Sequence, residues 1–239
     1  FMLLIGTKTS VNIIMNRPQQ LTFPWSKPNK SNFNEYYFDD VNKELQKKIL
    51  EHEDIVLYGI RKIGKTYLLQ ALCNYYADKN KTSLFIPLAE VSSFDTSIFD
   101  SIENMDIICI DDVDAIKGIH EWEVALFNLI NNSLISGCRL VFGSSQNPTS
   151  INFSLSDLDS RIRKINSTEV LPINNANLQE AVKKISQLRS IRLGEKELNY
   201  IITYTERSID NLIDILSKVD DLSIERKRKI TIPLIKEII

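Results

Sequence analysis

The sequence has few cysteines and almost no net charge. Its 239 residues include three cysteines, 29 basic and 31 acidic residues, which gives a formal net charge of -2 at pH 7. Cys73, Cys109 and Cys138 are isolated and set in apolar segments, which is typical of buried reduced thiols and argues against a disulfide framework or a zinc site. The charge balance argues against a surface built throughout to grip nucleic acid. One local basic candidate remains, the cluster Arg226-Lys227-Arg228-Lys229.

Long apolar runs are also missing. None approaches the length of a membrane-spanning helix, and the N-terminal segment lacks a basic start and a small-residue cleavage site. We therefore expect a cytoplasmic protein without a membrane partner. Phe1 is not a natural start and Met15 is a candidate one, which leaves open whether residues 1–14 are native.

The most specific motif is the segment Gly59–Thr66, which matches G-x-x-x-x-G-K-[ST] at every fixed position. The apolar run Ile55–Tyr58 precedes it and a helical pattern follows it, so the strand, loop and helix that this P-loop motif requires are present. Its glycines let the backbone turn N–H groups onto phosphate oxygens, and Lys65 is expected to reach the β- and γ-phosphates. The predicted nucleotide contacts in this part of the chain are Gly59, Ile63, Gly64, Lys65, Thr66 and Tyr67.

A second apolar run, Ile107–Ile110, ends in the acids Asp111 and Asp112. A carboxylate at the tip of a strand beside a P-loop commonly holds Mg²⁺ through the water shell of the ion. We predict that Thr66 and Asp111 hold Mg²⁺ and that Asp112 orients an attacking water. The sequence alone does not separate the roles of the two acids.

Predicted strands and helices alternate up to about residue 171, which indicates an α/β fold with a parallel sheet. Helical patterning begins near Asp39; further strands are predicted at Ser83–Pro87 and Arg139–Phe142, and a helix at Trp122–Ile135. From residue 172 the pattern changes to amphipathic helices, predicted at Leu178–Leu188, Glu195–Thr205, Ile209–Leu222 and Ile232–Ile238. We expect a flexible tail at residues 1–34, a nucleotide-binding α/β domain at 35–171 and a helical domain at 172–239.

Several segments together carry a family resemblance. They are the P-loop, Asp111–Ile116, Trp122–Asn131, Leu155–Arg161 and the ending Arg226–Lys236. In this order they resemble the AAA+ module of the bacterial initiator DnaA, and more closely the DnaA-related regulatory inactivators of the Hda family, whose close R-K-L-T-I-P-F-V-K is similar to the last segment. The resemblance implies an AAA+ sheet domain followed by a helical lid, ADP or ATP with Mg²⁺ as ligands, and DnaA as a partner. A full initiator would continue into a helix-turn-helix domain, so the end of this sequence leads us to expect an inactivator.

Two further features of the resemblance concern partners. Gln20-Leu21-Thr22-Phe23-Pro24 is similar to the Q-L-x-L-P peptide by which the inactivators bind the sliding clamp, the β subunit of DNA polymerase III. The resemblance implies that DNA is reached indirectly, through a clamp bound by Gln20, Leu21, Phe23 and Pro24. Arg161 matches the arginine finger of the family, which acts in trans on the nucleotide of a neighbouring subunit, and Arg163 is a nearby alternative. A homo-oligomer stays open.

The chain departs from the family pattern at two positions. Ser145 stands where relatives carry Asp or Asn after the fourth strand, and we keep it as a predicted nucleotide contact. Asp210 stands where the lid of the family carries an arginine, with Arg207 one helical turn earlier. A carboxylate facing a triphosphate would repel it. We therefore expect weak or absent intrinsic ATP hydrolysis and a site that favours ADP.

Together these inferences predict a regulator of chromosome replication initiation that docks on the DNA-loaded clamp and promotes hydrolysis of DnaA-bound ATP. Two other classes stay open. A DnaA-like AAA+ ATPase or adaptor, for helicase loading or positioning on DNA, would require competent ATP turnover and no clamp dependence. A simple nucleic-acid-binding module would show salt-sensitive DNA binding by the isolated protein.

Overall fold

A five-stranded parallel sheet organises the structure, a computed structural model that describes residues 31–92, 94–206 and 208–239. Its strands lie in the order β2-β3-β4-β1-β5, and neighbouring strands are parallel. The predicted α/β fold with a parallel sheet is confirmed. The strands are β1 (Ile55–Tyr58), β2 (Ser83–Pro87), β3 (Ile107–Asp111), β4 (Arg139–Ser144) and β5 (Asn166–Glu169).

The described residues also form ten α-helices and three short 3-10 helices. Helix α1 (Lys43–Leu50) precedes β1, and the helices between the strands are α2 (Lys65–Asp78), α3 (Leu88–Val91), α4 (His120–Ser136), α5 (Pro148–Ile151) and α6 (Ser156–Lys164). The 3-10 helices are Thr96–Phe99, Ile102–Asn104 and Val113–Ile116. After β5 the described residues form helices or irregular chain, and the helices are α7 (Asn175–Leu188), α8 (Glu195–Tyr204), α9 (Ile209–Glu225) and α10 (Ile232–Ile235).

Both faces of the sheet are buried. Side chains alternate between the faces along each strand, and each set belongs to a different core. In β3, Ile107 and Cys109 join a core shared with α1, α2 and the helices α7 to α9. Ile108 and Ile110 of the same strand join a second core shared with α4 and α6. The sheet is therefore covered on both faces, and its carboxyl edge carries the loops between the elements.

The carboxyl ends of the central strands lie side by side. Tyr58 at the end of β1 pairs with Ser144 at the end of β4, and Ile110 of β3 pairs with Phe142 of β4. The N–H of Gly59 donates to the carbonyl oxygen of Ser144 at 3.2 Å. This register brings the P-loop, the acids after β3 and the residues after β4 to one edge, where open parallel sheets bind ligands.

The structure differs from the sequence prediction in several places. The prediction contains neither α6 nor β5, and β5 reads Asn-Ser-Thr-Glu with mostly exposed side chains, so its pairing with β1 alone makes it a strand. The first helix begins at Lys43 rather than near Asp39, because residues 39–42 form a turn in which Asn42 N donates to Asp39 O at 3.1 Å. The predicted tail runs to residue 34, but Ser31 is already buried and its hydroxyl donates to Gln70 of α2 at 3.3 Å.

The three cysteines are buried and free, as the sequence predicts. Burial raises the pKa of the Cys109 thiol in the middle of β3, and a thiol kept protonated in this way is unreactive. In the part of the chain that the structure describes, no helix is both long and apolar enough to cross a bilayer.

Candidate nucleotide-binding site

The loop between β1 and α2 has a backbone that favours glycine at two points. Gly59 has a φ of +149°, and Gly64, which precedes α2, has a φ of +104°. A Cβ at Gly59 would lie 2.6 Å from both the carbonyl oxygen of Val170 and Cδ1 of Ile63. The carbonyl oxygen of Ile63 accepts a hydrogen bond from the Tyr36 hydroxyl at 3.4 Å. Glycine conformations of this kind let a loop present its N–H groups to an anion at a helix N-terminus.

Lys65 is the first residue of α2, and its side chain reaches back to the loop. Lys65 is only 6% exposed, and its ammonium donates to the carbonyl oxygens of Gly59 and Ile60, both at 2.8 Å. Phosphate oxygens would offer this ammonium stronger, charge-assisted hydrogen bonds than neutral carbonyls do. The phosphate contact of Lys65 stays a prediction, and its ammonium is directed at the loop that would hold the phosphates.

Thr66 and Asp111, the predicted Mg²⁺ ligands, are in direct contact. The Thr66 hydroxyl donates to Asp111 Oδ2 at 2.5 Å. Burial raises the pKa of Asp111 to about 6, against the opposing effect of the Thr66 hydrogen bond. These hard oxygen donors fit Mg²⁺, and a cation there would offset the cost of burying the carboxylate. Within the described residues no group of three or more His, Cys, Asp or Glu side chains could hold a metal ion, so phosphate oxygens and water would complete the coordination.

Gly143 in β4 leaves the space that the Asp111 carboxylate occupies. A Cβ at this position would lie 2.1 Å from Asp111 Oδ1 and 2.9 Å from Leu69 Cδ1. We expect Gly143→Ala to displace the carboxylate, to lower the free energy of unfolding by roughly 2 kcal/mol and to weaken Mg²⁺-nucleotide binding about tenfold. Urea unfolding and nucleotide titration measure the two effects.

Gly137→Ala is the matched control for this substitution. Gly137 has a φ of +78°, so alanine strains the backbone there as well, but a Cβ would meet nothing within 4 Å. The control protein should lose stability and keep its nucleotide affinity. Unchanged nucleotide affinity in Gly143→Ala would show that Asp111 tolerates the displacement.

A third acid, Asp114, joins the chain after β3 to the chain after β4. Its Oδ1 accepts from Ser145 N at 2.9 Å and from Ser144 Oγ at 3.1 Å, and its Oδ2 accepts from the Ser145 hydroxyl. Burial raises the pKa of Asp114, but these hydrogen bonds outweigh that effect and leave the pKa below its ordinary value. Asp112 is half-buried, and its pKa is raised first by burial and then by the charge of Asp114. Ser145 and Asp112 were predicted from the sequence, but Asp114 was not; its signal is the third acid in Asp-Asp-Val-Asp.

The two candidate finger residues, Arg161 and Arg163, differ in what they contact. Arg163 donates to Asp159 Oδ2 at 2.6 Å and to Asn152 Oδ1 at 2.9 Å. Arg161 is exposed on α6 and forms no hydrogen bond or ion pair with residues 31–92, 94–206 or 208–239. The guanidinium of Arg161 is therefore available to an anion outside the chain, and that of Arg163 is engaged.

Glu123 in α4, which was not predicted from the sequence, binds the residues just before α6. Its side chain is fully buried. Oε1 accepts from the N–H groups of Gly118 at 2.7 Å and Ser154 at 3.1 Å, and Oε2 accepts from Leu155 N at 2.6 Å. Hydrogen bonds from several N–H groups can stabilise a carboxylate in a buried position. This contact fixes the residues that lead into α6, and with them the helix that carries Arg161.

Tyr67, a predicted nucleotide contact, packs against the segment 31–36. Its hydroxyl lies 3.3 Å from both Asn32 O and Glu35 Oε2, and burial raises the pKa of Tyr67 to about 12. Glu35 also pairs with Arg189 at the end of α7 at 2.6 Å. This segment therefore joins the helix of the P-loop to the C-terminal helices.

The C-terminal helices reach the P-loop itself through Lys62 and Glu206. The Lys62 ammonium donates to both carboxylate oxygens of Glu206, at 3.0 and 2.9 Å. Both side chains are exposed, so the pair contributes little to stability. Arg207 falls outside the described residues, and of Asp210 only the backbone in α9 is described. The predicted clamp contacts also fall outside them, at Gln20, Leu21, Phe23 and Pro24.

Two family models match the chain. The model described as AAA domain matches residues 51–179, more than half of the chain. The model described as Hda, lid domain matches residues 175–239. An uncharacterized protein of Haemophilus influenzae is 29% identical over 187 residues, which are 77% of this chain and 80% of that protein.

Solved structures share the fold. Domain III of the replication initiation protein DnaA from Thermotoga maritima matches with a TM-score of 0.68 and 18% identity over 86% of this chain and 93% of that one. AMPPCP-bound DnaA from Aquifex aeolicus matches with a TM-score of 0.63 and 18% identity over 82% and 67% of the two chains. The RuvB Holliday junction branch migration motor of Thermotoga maritima gives 0.60 and 15% over 87% and 70%. The sheet, the P-loop and the family match over residues 51–179 agree: the chain belongs to the AAA family, it shares the fold of DnaA domain III, and its C-terminal residues match the Hda lid model.

Proposed function

We propose that this protein takes part in the control of replication initiation and does so by promoting hydrolysis of ATP bound to DnaA. The observation that carries the proposal is Arg161, an exposed arginine on α6 without a partner among the described residues, beside the engaged Arg163. A guanidinium brought beside the γ-phosphate of a neighbour stabilises the charge that develops during phosphoryl transfer. The Hda-type lid and the fold shared with DnaA domain III support DnaA as that neighbour, because related AAA+ modules can stack through equivalent faces.

The chain's own P-loop binds an adenine nucleotide in this proposal. The backbone at Gly59, Ile63 and Gly64 cradles the phosphates, and the Lys65 ammonium exchanges its carbonyl partners for phosphate oxygens. Thr66 and Asp111 would hold Mg²⁺, which when bound neutralises phosphate charge. Nucleotide held between the domain at residues 35–171 and the lid at 172–239 stabilises one arrangement of the two. The Tyr67 and Lys62 contacts with neighbouring segments support such coupling.

Intrinsic turnover at this site is weak in our proposal, and ADP is favoured. The Ser145 hydroxyl donates to Asp114, so it is not free to donate to a phosphate. The lid position that carries an arginine in the family is Asp210, which adds negative charge to the lid. Asp112 can still orient a water, so intrinsic hydrolysis is weakened rather than abolished.

The clamp enters through the N-terminal tail. We propose that Gln20, Leu21, Phe23 and Pro24 bind the β clamp, which brings the protein to DNA indirectly. Residues 31–36 support this role, because they fix the base of the tail to α2 and to Arg189. Docking on the clamp raises the local concentration of Arg161 near DnaA on the same DNA.

The test is the rate of hydrolysis of DnaA-bound ATP with DNA-loaded clamp. We expect the wild-type protein to stimulate this rate and the Gln20→Ala, Leu21→Ala double variant to lose roughly tenfold or more of the stimulation at limiting concentration. The Gln19→Ala, Thr22→Ala variant changes the same tail outside the predicted contacts and should stimulate normally. Stimulation that does not require the clamp, or that persists in the Gln20→Ala, Leu21→Ala variant, would refute the clamp-coupled mechanism.

A second candidate function is a DnaA-like ATPase or adaptor that loads helicase or locates DNA. The contact between Thr66 and Asp111 favours it, because this pair is the metal-holding part of a competent hydrolytic site. Sustained ATP turnover by the isolated protein, without clamp and without DnaA, would select this function over the first.

A further inference from the structure

The chain after β4 is held by Asp114 through three hydrogen bonds. The carboxylate accepts from the Ser144 hydroxyl at 3.1 Å, from the Ser145 N–H at 2.9 Å and from the Ser145 hydroxyl. Asp114 and Ser145 are both half-buried. Both polar hydrogens of Ser145 are therefore directed to one carboxylate.

These residues border the proposed phosphate site. The carbonyl oxygen of Ser144 accepts from the N–H of Gly59, the first residue of the P-loop, at 3.2 Å. Gly143, two residues before Ser145, lies against the Asp111 carboxylate. Ser145 therefore stands at the carboxyl edge of the sheet, between the P-loop and the acids that follow β3.

The direction of the Ser145 hydrogen bonds decides what this residue can offer to a nucleotide. A hydroxyl has one proton to donate, and here it is donated in a hydrogen bond to the Asp114 carboxylate. Only the lone pairs of the Ser145 oxygen then remain for a ligand. A γ-phosphate presents only acceptors when ionised, and two acceptors repel. The charge of Asp114 adds to that of the neighbouring Asp111 and Asp112, which disfavours a further anionic group at this edge.

We propose that Asp114 determines the phosphate specificity of this site, by withdrawing the Ser145 hydroxyl from the γ-phosphate and placing a carboxylate beside it. A nucleoside diphosphate has no group at that point and escapes the penalty. The inference rests on the proposed nucleotide site and adds to it the residue that sets the preference for ADP. Asp114 acts through Ser145 and is a positioning residue.

An Asp114→Asn substitution should reverse this hydrogen bond. The asparagine amide oxygen can still accept from the Ser145 N–H, while its NH₂ group donates to the Ser145 oxygen. The Ser145 proton then becomes available to a phosphate, and one negative charge is lost. We expect the ratio of the ATP and ADP dissociation constants to fall about tenfold, the size of one charge-assisted hydrogen bond.

The experiment is a titration of the full chain with ADP and with ATP in the presence of Mg²⁺. Asp106→Asn is the matched control, because Asp106 accepts from the N–H and hydroxyl of Thr82, both at 2.8 Å, at the opposite end of β3. The control should keep the wild-type ratio of dissociation constants. In a Ser145→Ala background, Asp114→Asn should change the ratio by less than about threefold, because only the relief of charge remains.

Ser145→Asn is a second variant that leaves Asp114 in place. It brings an amide donor to the same edge and should lower the ratio in the same direction. A ratio unchanged within about twofold in both single variants, or an equal shift in Asp106→Asn, overturns the inference. Failure of the wild-type chain to bind either nucleotide overturns the P-loop site as well. If the variants shift the ratio as expected but the wild-type protein does not stimulate hydrolysis of DnaA-bound ATP, the proposed function is refuted and the inference about Asp114 stands.

Discussion

Arg161→Ala is expected to lower the stimulated rate of hydrolysis of DnaA-bound ATP by roughly 10³-fold, the lower end of the range for arginine fingers. That factor corresponds to about 4 kcal/mol of transition-state stabilisation. The guanidinium is exposed and has no partner among the described residues, so its removal disrupts no contact within this chain. Binding of nucleotide to the chain's own P-loop should therefore stay unchanged. Single-turnover hydrolysis by clamp-bound complexes measures the first quantity, and nucleotide titration measures the second.

Arg163→Ala is the natural comparison, because it removes the same charge two residues further along α6. Arg163 is tied to Asp159 and Asn152, and loss of a partly exposed pair of this kind costs on the order of 0.5 kcal/mol of stability. Its effect on stimulation should stay below about threefold. Arg161→Lys should fail to restore the full rate, because an ammonium lacks the planar fork of donors. An equal loss of stimulated hydrolysis in Arg161→Ala and Arg163→Ala would contradict the assignment of the finger to Arg161.

Local sequence patterns were enough to predict most of the architecture. The runs at Ile55–Tyr58 and Ser83–Pro87 became strands with those same bounds, because each is an uninterrupted apolar or mixed run between polar turns. The P-loop motif also predicted the helix that begins at Lys65. Parallel pairing then followed from the alternation of strands and helices, since each crossover helix returns the chain to the same edge.

Elements made by tertiary context could not be predicted in this way. β5 has a polar sequence and is a strand because β1 offers it a backbone to pair with. The acids at 111 and 112 were predicted from their place at the end of an apolar run, but Asp114 was not, because its importance depends on the end of β4, 30 residues further along the chain. The family resemblance selected Arg161 as the finger with Arg163 as the alternative, whereas the different contacts of the two side chains could be seen only in the structure.

The role of Glu123 could not be predicted from the sequence either, because the sequence shows only a charged residue next to Trp122, which is buried in the structure. In the structure its carboxylate accepts from three backbone N–H groups, two of them at Ser154 and Leu155, just before α6. Leu155 is the residue that precedes the helix, and its side chain makes no cap. The carboxylate of Glu123 therefore satisfies backbone donors that α6 does not satisfy by itself.

Glu123→Gln is expected to lower the free energy of unfolding by roughly 3 kcal/mol, because the amide NH₂ would face a buried N–H donor where a carboxylate oxygen now accepts. A shift of α6 would follow, and stimulation of DnaA-bound ATP hydrolysis should fall even at temperatures where the variant is folded. Urea unfolding and the clamp assay measure the two effects. The control is Glu121→Gln, because Glu121 is an exposed carboxylate in the same first turn of α4. Its free energy of unfolding should stay within about 0.5 kcal/mol of wild type. If Glu123→Gln is destabilised and yet stimulates fully when folded, the carboxylate supports the fold without orienting Arg161. If stability and stimulation fall together and nucleotide affinity is retained, the buried carboxylate links the α4–α6 core to the finger.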